Sequence, residues 1–155
     1  MTKHALLHVG VCKLEPVQVI YKTCIFRHSR ENYDKKIRQA FQVLHEWAVR
    51  FGLDPKQSLH IGIPTMEDKQ LIMYECCLEF LLPMMEDNDE IRLKTLPGGN
   101  YAVLRVEKTP NKIGKAIQSF RADYIPNNEL LIEHERPIYE IYYEDTMEYC
   151  VPVFK

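Results

Sequence analysis

The hydrophobic pattern of the chain switches between a period of two and a period of 3.6 residues, and it does so twice in the same order. Alternation at every second residue predicts a strand, whereas apolar residues three and four positions apart predict a helix. In the first half, strand patterns at Val17–Phe26, Ser58–Ile63 and Gln70–Phe80 surround one helical pattern. We therefore expect a tandem duplication of a β-α-β-β unit, with pseudo-repeats at about residues 15–82 and 90–155.

Each half carries one amphipathic helix with its own start signal. Ser29 is expected to cap the first helix and Gly52 to end it. Thr109 can cap the second helix, and Pro110 is tolerated in the first turn, where a backbone N–H has no helical partner. The apolar stripes are Ile37, Phe41, Leu44, Ala48 and Phe51 in the first helix and Ile113, Ala116, Ile117 and Phe120 in the second.

The strand signals of the second half complete the expected architecture. They lie at Ile91–Leu96, Asn100–Val106, Leu130–His134, around Tyr139-Glu140 and at Met147–Phe154. We expect one domain over residues 1–155 of the α+β class, with an antiparallel sheet and two main helices packed on one face. Interfaces between repeated units are common small-molecule sites, so a ligand cleft is expected between the halves.

Composition and charge exclude several classes of function. The chain has 155 residues, of which 46% are hydrophobic and 27% charged, as in an ordinary folded domain. A net charge of −2 supplies no basic surface for phosphates, so we expect no direct DNA binding. No stretch approaches the roughly 20 apolar residues of a membrane span. These features indicate a cytoplasmic protein that does not bind a membrane.

The cysteines and histidines favour neither a disulfide scaffold nor a metal centre. The five cysteines are an odd number and contain no CxxC pair, which is typical of reduced thiols. Cys76 and Cys77 are adjacent in a predicted strand and therefore face opposite sides. The six histidines show no ligand spacing, and His45 lies within the first helical pattern. We expect no metal and no cofactor.

One carboxylate interrupts an aromatic strand near the end of the chain. In the run Arg136–Tyr143, alternation places Glu140 and Tyr142 on one face and Tyr139 on the other. A carboxylate beside an aromatic ring suits a cationic or flat, polarisable ligand. The alternative is a solvent-facing glutamate in a salt bridge.

The chain resembles the GyrI-like family from about Val17 to Val153. This small-molecule-binding domain is found alone in DNA gyrase inhibitor-like proteins and fused to DNA-binding domains in AraC-type and multidrug-responsive transcription regulators. Pro137–Tyr142 is similar to the family's Pro, aromatic, Glu, any, Tyr segment. Further similar segments are Cys150-Val151-Pro152-Val153, Leu96–Val103 and Leu44-His45-Glu46-Trp47.

The resemblance implies a cleft whose central glutamate, Glu140, pairs with cationic or polar aromatic compounds while aromatic side chains stack on them. Tyr142 is expected beside Glu140. Further candidate walls are Trp47, Tyr101, Tyr124 and, more weakly, Tyr74, for each of which core packing is the alternative.

Two departures from the family pattern bear on the ligand. Tyr124 stands where many relatives have tryptophan, and the glycine usual after the first strand of each unit is missing around Arg27-His28 and Lys108-Thr109. The ligand range is therefore expected to differ from that of other members.

Three functions remain open from the sequence. The leading hypothesis is a stand-alone module, a monomer or weak homodimer, that senses or sequesters small hydrophobic, often cationic or aromatic compounds. The second is a hydrolase of the same fold that opens cyclopropane rings of DNA-alkylating compounds, with Glu140 as general acid or water-positioning group and Tyr142 orienting the substrate. The third is binding to a protein partner such as gyrase through the acidic stretch Glu86–Glu90.

Overall fold

The computed structural model describes residues 6–27, 32–82 and 91–154 and confirms the α+β class. Between its strands lie the long helices α1 (Tyr33–Arg50) and α2 (Pro110–Ser119). A π-helical turn, Phe120–Tyr124, continues α2. The described strands are β1 (Leu6–Leu14), β2 (Val17–Ile25), β3 (His60–Glu67), β4 (Gln70–Glu79), β5 (Arg92–Leu96), β6 (Gly99–Glu107), β7 (Tyr139–Tyr142) and β8 (Thr146–Pro152). Short helical turns lie at Pro55–Gln57 and Ile125–Asn127.

The contacts of the chain divide it into two compact units. The central unit is Pro16–Leu96, and the terminal unit combines Met1–Glu15 with Pro97–Lys155. Strands follow the order β3-β4-β2-β5 in the central unit and β1-β6-β8-β7 in the terminal unit. Every pairing described within the two units is antiparallel, as the sequence predicted.

Helix α1 packs its apolar stripe on one face of the central strands. Ala40, Leu44 and Ala48 are buried there in a cluster with side chains of β2 and β4. The helix is capped by Asn32, whose Oδ1 accepts a hydrogen bond from Lys35 N at 3.0 Å. The predicted cap, Ser29, lies outside the described residues. The predicted helix end is confirmed, because Gly52 follows the helix with φ of +83°.

Helix α2 covers one face of the terminal strands in the same way. Its predicted stripe packs against a cluster of β6 and β8 side chains, in which Phe120 is buried. Thr109 occupies the N-cap position, but its side chain makes no capping hydrogen bond within the described residues, which corrects the predicted cap. The π-helical turn then carries the chain from Phe120 to Tyr124.

The observed strands differ from the predicted ones in two places. Sequence patterning missed β1, which pairs with β6 over nearly its whole length. Conversely, the predicted strand Leu130–His134 is reduced to a single bridge between Ile132 and Val153. With β1 included, each repeat is a β-β-α-β-β unit. The first strand of each repeat, β1 or β5, pairs with the second strand of the other repeat, β6 or β2.

The described residues also lack two kinds of feature. None of the helices within them has the length and apolar character that a membrane span requires. Within the same ranges, no three or more histidine, cysteine, aspartate or glutamate side chains converge on a common point where a metal could bind.

Candidate functional site

Glu140 lies half-buried in β7 on the face of the terminal strands that α2 covers. The strand register places it directly opposite Tyr149 of β8, which in turn is opposite Leu104 of β6. Directly opposed residues share a face, and Leu104 and Tyr149 belong to the cluster under α2. Tyr142, two residues along β7, donates a hydrogen bond from its hydroxyl to Glu140 Oε1 at 2.9 Å. The predicted shared face of Glu140 and Tyr142 is therefore present.

Aromatic rings from β8 and the π-helical turn occupy the same side. The rings of Phe120 and Tyr124 stack with centroids 5.3 Å apart and an interplanar angle of 12°. Phe120 also meets the Tyr149 ring edge to face, at 6.2 Å. We call Glu140, Tyr142, Tyr149, Phe120 and Tyr124 the Glu140 face.

The π-helical turn explains how two of these rings come together. Residues four apart along a helix lie about one turn apart on the same face, where their side chains can meet. Phe120 and Tyr124 begin and end this turn. Turns of this kind occur often at functional sites.

The polar groups of the Glu140 face have defined partners. Arg121 Nη1 donates to the Tyr149 hydroxyl at 2.9 Å, so that oxygen acts as an acceptor. The Lys108 ammonium lies 5.8 Å from the centre of the Tyr142 ring. Chemically, the face combines one carboxylate that accepts hydrogen bonds with the half-buried rings of Tyr142 and Tyr124, while the Tyr149 and Phe120 rings are buried in the core. Such a combination can orient a polar group of a flat ligand while the rings contact its apolar part.

The structure does not bring Tyr101 together with Glu140. Tyr101 is fully buried in β6 on the opposite face, where its ring stacks on Tyr139 at 5.1 Å. Its hydroxyl donates to Pro137 O at 3.0 Å, and burial raises its pKa. The Arg136 guanidinium lies 4.9 Å from its ring centre and donates to the carbonyls of neighbouring strand ends. Core packing accounts for these contacts.

The same opposite face holds a second glutamate and tyrosine pair. The Tyr143 hydroxyl donates to Glu148 Oε1 at 2.9 Å, and Arg105 Nη2 lies 3.2 Å from Glu148 Oε2. Burial, together with the hydrogen bond to Glu148, raises the pKa of Tyr143 to about 12. Glu140 and Glu148 are therefore similar in burial and in their tyrosine partner. They differ in the face that they occupy, and Glu148 also forms an ion pair with Arg105.

The two remaining predicted walls belong to the central unit. Tyr74 is 3% exposed and lies in the cluster under α1. Trp47 is half-buried on α1, with its ring 5.4 Å from that of Phe51 and 5.2 Å from the Arg50 guanidinium. The indole Nε1 is buried, and none of the described residues accepts a hydrogen bond from it.

Sequence reasoning missed Tyr149 as the residue opposite Glu140, and it missed Phe120 and Arg121 as contacts of Tyr149. Phe120 was predicted only as part of the apolar stripe of α2. Tyr149 lies in a strand that was predicted correctly, but its position opposite Glu140 depends on the register of β7 and β8. A predicted hairpin at Glu144-Asp145 would have supplied that register. The acidic stretch Glu86–Glu90, proposed for a protein partner, lies outside the described residues.

Comparison with known proteins identifies the fold and the family. The model of the GyrI-like small molecule binding domain matches residues 8–153. No curated protein matches the chain.

Solved structures give the same picture of the fold. The C-terminal domain of EcmrR is 12% identical, with a TM-score of 0.74 over 96% of this chain and 98% of that one. In an EcmrR–DNA complex, the chain spans 57% of the EcmrR chain, at 13% identity and a TM-score of 0.74 over 96% of this chain.

Two further structures are similar over nearly their whole length. SAV2435 bound to tetraphenylphosphonium is 16% identical, with a TM-score of 0.58 over 96% of this chain and 94% of that one. A protein from Listeria innocua described as a hydrolase is 11% identical, with a TM-score of 0.68 over 94% and 91%. Because the family model covers nearly the whole chain, the protein belongs to the GyrI-like small molecule binding domain family.

Proposed function

We propose that the protein senses or sequesters small hydrophobic, aromatic compounds, including cationic ones, at the Glu140 face. The observation that carries this proposal is the half-buried Glu140 carboxylate, held by the Tyr142 hydroxyl at 2.9 Å on the same face as the Tyr149, Phe120 and Tyr124 rings. Membership of a small-molecule-binding family supports it. The tetraphenylphosphonium bound to SAV2435, a protein of the same fold, shows that an aromatic cation is a reasonable first probe.

The chemistry of the face suits this class of compound. The Glu140 carboxylate accepts a hydrogen bond from Tyr142, and because a carboxylate has several acceptor sites, a ligand donor or cation there adds a further charge-assisted contact. An aromatic ring beside a cation contributes roughly 0.5 to 2 kcal/mol, depending on desolvation. Aromatic stacking depends little on the identity of the ligand, so these walls accept a range of flat molecules.

Calorimetric titration of wild type and Glu140→Gln with tetraphenylphosphonium and with a neutral aromatic compound tests the proposal. Glu140→Gln keeps the shape of the side chain and removes its charge, so affinity for the cation is expected to fall by about tenfold. Glu148→Gln is the matched control, because it removes a similar carboxylate from the opposite face. Equal losses in the two variants, or no binding to wild type, would contradict the proposal.

Catalytic use of the same residues is the alternative. A protein of this fold is described as a hydrolase, and the Tyr142–Glu140 hydrogen bond can hold a carboxyl group in place for proton transfer. A cyclopropane-containing alkylating compound, incubated with the protein and examined by mass spectrometry, separates the two. Intact compound after binding supports sequestration, and a water adduct that forms with wild type but not with Glu140→Gln supports hydrolysis.

A further inference from the structure

The aromatic ring that would receive a ligand cation already has a cation of the protein beside it. Lys108 follows β6, and its backbone N–H donates to Asp145 O at 3.0 Å, which fixes the start of its side chain. The ammonium then lies 5.8 Å from the centre of the Tyr142 ring. The side chain is exposed, so the ammonium keeps part of its hydration. A ligand cation at Tyr142 would have to share this ring with Lys108 or displace it.

A second cation contacts a different ring of the Glu140 face. Arg121 lies in the π-helical turn and donates from Nη1 to the Tyr149 hydroxyl at 2.9 Å. Tyr149 is directly opposite Glu140 in the strand register. The exposed Asp123 of the same turn accepts a hydrogen bond from the Ser119 hydroxyl at 3.2 Å. Among the described contacts, two protein cations therefore lie at the Glu140 face, and the Asp123 carboxylate is on the same turn as Arg121.

This balance of charge bears on which compounds bind well. A permanent cation at Glu140 and Tyr142 gains from the carboxylate but is repelled by Lys108, whose ammonium lies 5.8 Å from the Tyr142 ring centre, and to a smaller extent by Arg121. Water and salt screen such exposed charges beyond about 10 Å, so only the nearby cation has a sizeable effect. A compound that carries both a cationic or donor group and an anionic or acceptor group is attracted at both ends. Glu140 attracts the first group, and Lys108 and Arg121 attract the second. The stacking contribution of its aromatic part is the same in both cases.

We propose, resting on the function proposed above, that Lys108 and Arg121 make the Glu140 face selective for zwitterionic aromatic compounds over permanent cations of the same scaffold. The donor or cationic end of the ligand lies at Glu140 and Tyr142. Its anionic or acceptor end lies toward Lys108 and Arg121. Lys108 is the main determinant, because its ammonium lies beside the ring next to Glu140.

Fluorescence titration with rhodamine B and rhodamine B ethyl ester tests this selectivity. The two dyes share one scaffold, but the free carboxylate makes rhodamine B zwitterionic and its ester makes the second dye a permanent cation. Wild type is expected to bind rhodamine B about threefold or more tightly. In Lys108→Met, affinity for the ester is expected to rise about three- to tenfold, and affinity for rhodamine B to fall.

Control variants show whether a change in dye affinity comes from the lost charge or from lower stability of the variant. Lys115→Met removes an exposed lysine of α2 and is expected to leave both affinities unchanged. Arg121→Met is expected to shift the ratio in the same direction as Lys108→Met, and because it also loses the bond to Tyr149, its melting temperature is measured alongside. Lys108 is exposed, so Lys108→Met alone suffices for the test if Arg121→Met does not fold.

The outcomes distinguish the two proposals. If wild type binds the dyes and Lys108→Met leaves the ratio of the two affinities unchanged, the charge selectivity is refuted and the proposed function stands. If neither dye binds to wild type or to any variant, the proposed function itself is refuted. A ratio that changes in Lys108→Met but not in Lys115→Met supports the selectivity.

Discussion

Gly62 in β3 leaves room for the Tyr74 side chain of the neighbouring strand. A Cβ atom at this position would overlap the Tyr74 hydroxyl and ring, and the tyrosine is buried with little freedom to move. We expect Gly62→Ala to lower the free energy of unfolding by about 1 to 3 kcal/mol, as for other overpacked cores. Urea denaturation measures the change.

Gly114→Ala is the matched control for this substitution. Gly114 lies in α2, where an added Cβ meets no atom within 4 Å. Alanine is the better helix former by about 0.5 to 1 kcal/mol, so this variant is expected to be more stable than wild type. Unchanged stability in Gly62→Ala would show that Tyr74 repacks at no cost.

His45 and His60 form a pair that should make stability depend on pH. The two Nε2 atoms are 2.7 Å apart, and His60 Nδ1 lies 2.9 Å from Ser58 O. Burial lowers the pKa of His45. Because its pKa is lower in the folded than in the unfolded state, where it is about 6.5, the contribution to stability is complete above that pH and is lost as the pH falls below it.

We therefore expect the melting temperature to fall between pH 7.5 and pH 5.5 by less in His45→Gln than in wild type. Glutamine has no protonation step in this range but keeps a hydrogen-bond donor for His60. His134→Gln, which replaces an exposed histidine, is expected to behave as wild type. Equal pH dependence in wild type and His45→Gln would mean that the pair does not control it.

Alternation along a strand predicts which side chains share a face, but not which strand lies opposite. It placed Glu140 and Tyr142 together, and the hydrogen bond between them agrees. It could not separate Tyr101 from them, because the face of β6 follows only from its register with β8. For the same reason it did not identify Tyr149. The carboxylate of the candidate site was therefore predictable from local sequence, whereas most of its aromatic surroundings were not.

At the scale of elements, the two helices differ in how they begin. Asn32 caps α1 through its side chain, whereas Thr109 at the start of α2 makes no such bond within the described residues. We expect Asn32→Ala to cost about 1 kcal/mol of stability and Thr109→Ala much less. Thermal denaturation of the two variants measures the difference.

Asn32→Asp completes this comparison. Aspartate retains the acceptor oxygen and places a negative charge at the positive end of the helix dipole, so stability is expected to equal or exceed that of wild type. If Asn32→Ala and Thr109→Ala cost the same, the hydrogen bond to Lys35 N contributes nothing measurable.

Helices were easier to predict than the outer strands because their signals are local. The apolar stripe and Gly52 identified α1 without reference to the rest of the chain. Strand β1 contains Gly10 and an exposed Val11, and it depends for its stability on pairing with β6, which is distant in sequence. Leu130–His134 has strand-like composition, yet only Ile132 finds a bridge partner. Propensity is a weak guide where distant pairing decides the outcome.

At the scale of the whole molecule, removal of β1 tests whether the terminal unit can lose protection while the central unit keeps it. Among the described pairings within the units, β1 bonds only to β6. We expect deletion of residues 6–14 to abolish hydrogen-exchange protection of the β6 amides that face β1. Amides of β2 and β4 in the central unit should stay protected, because their pairing is intact.

Hydrogen exchange followed by mass spectrometry distinguishes the alternatives. Equal loss of protection in both units would show that they unfold as one cooperative body. A short deletion in the exposed turn at Asp68-Lys69 serves as a control for the shorter chain, since it removes residues outside the terminal unit.

The first strand of each repeat pairs with a strand of the other repeat, and this pairing also sets the order in which the protein can fold during its synthesis. All strands of the central unit lie within one continuous stretch, so this unit can assemble as soon as β5 has left the ribosome. β1 emerges earliest of the described strands, but its partner β6 follows only after the whole central unit has been made. At typical rates of translation the delay is on the order of ten seconds. Throughout that interval β1 is an unpaired strand, available to chaperones and to neighbouring nascent chains.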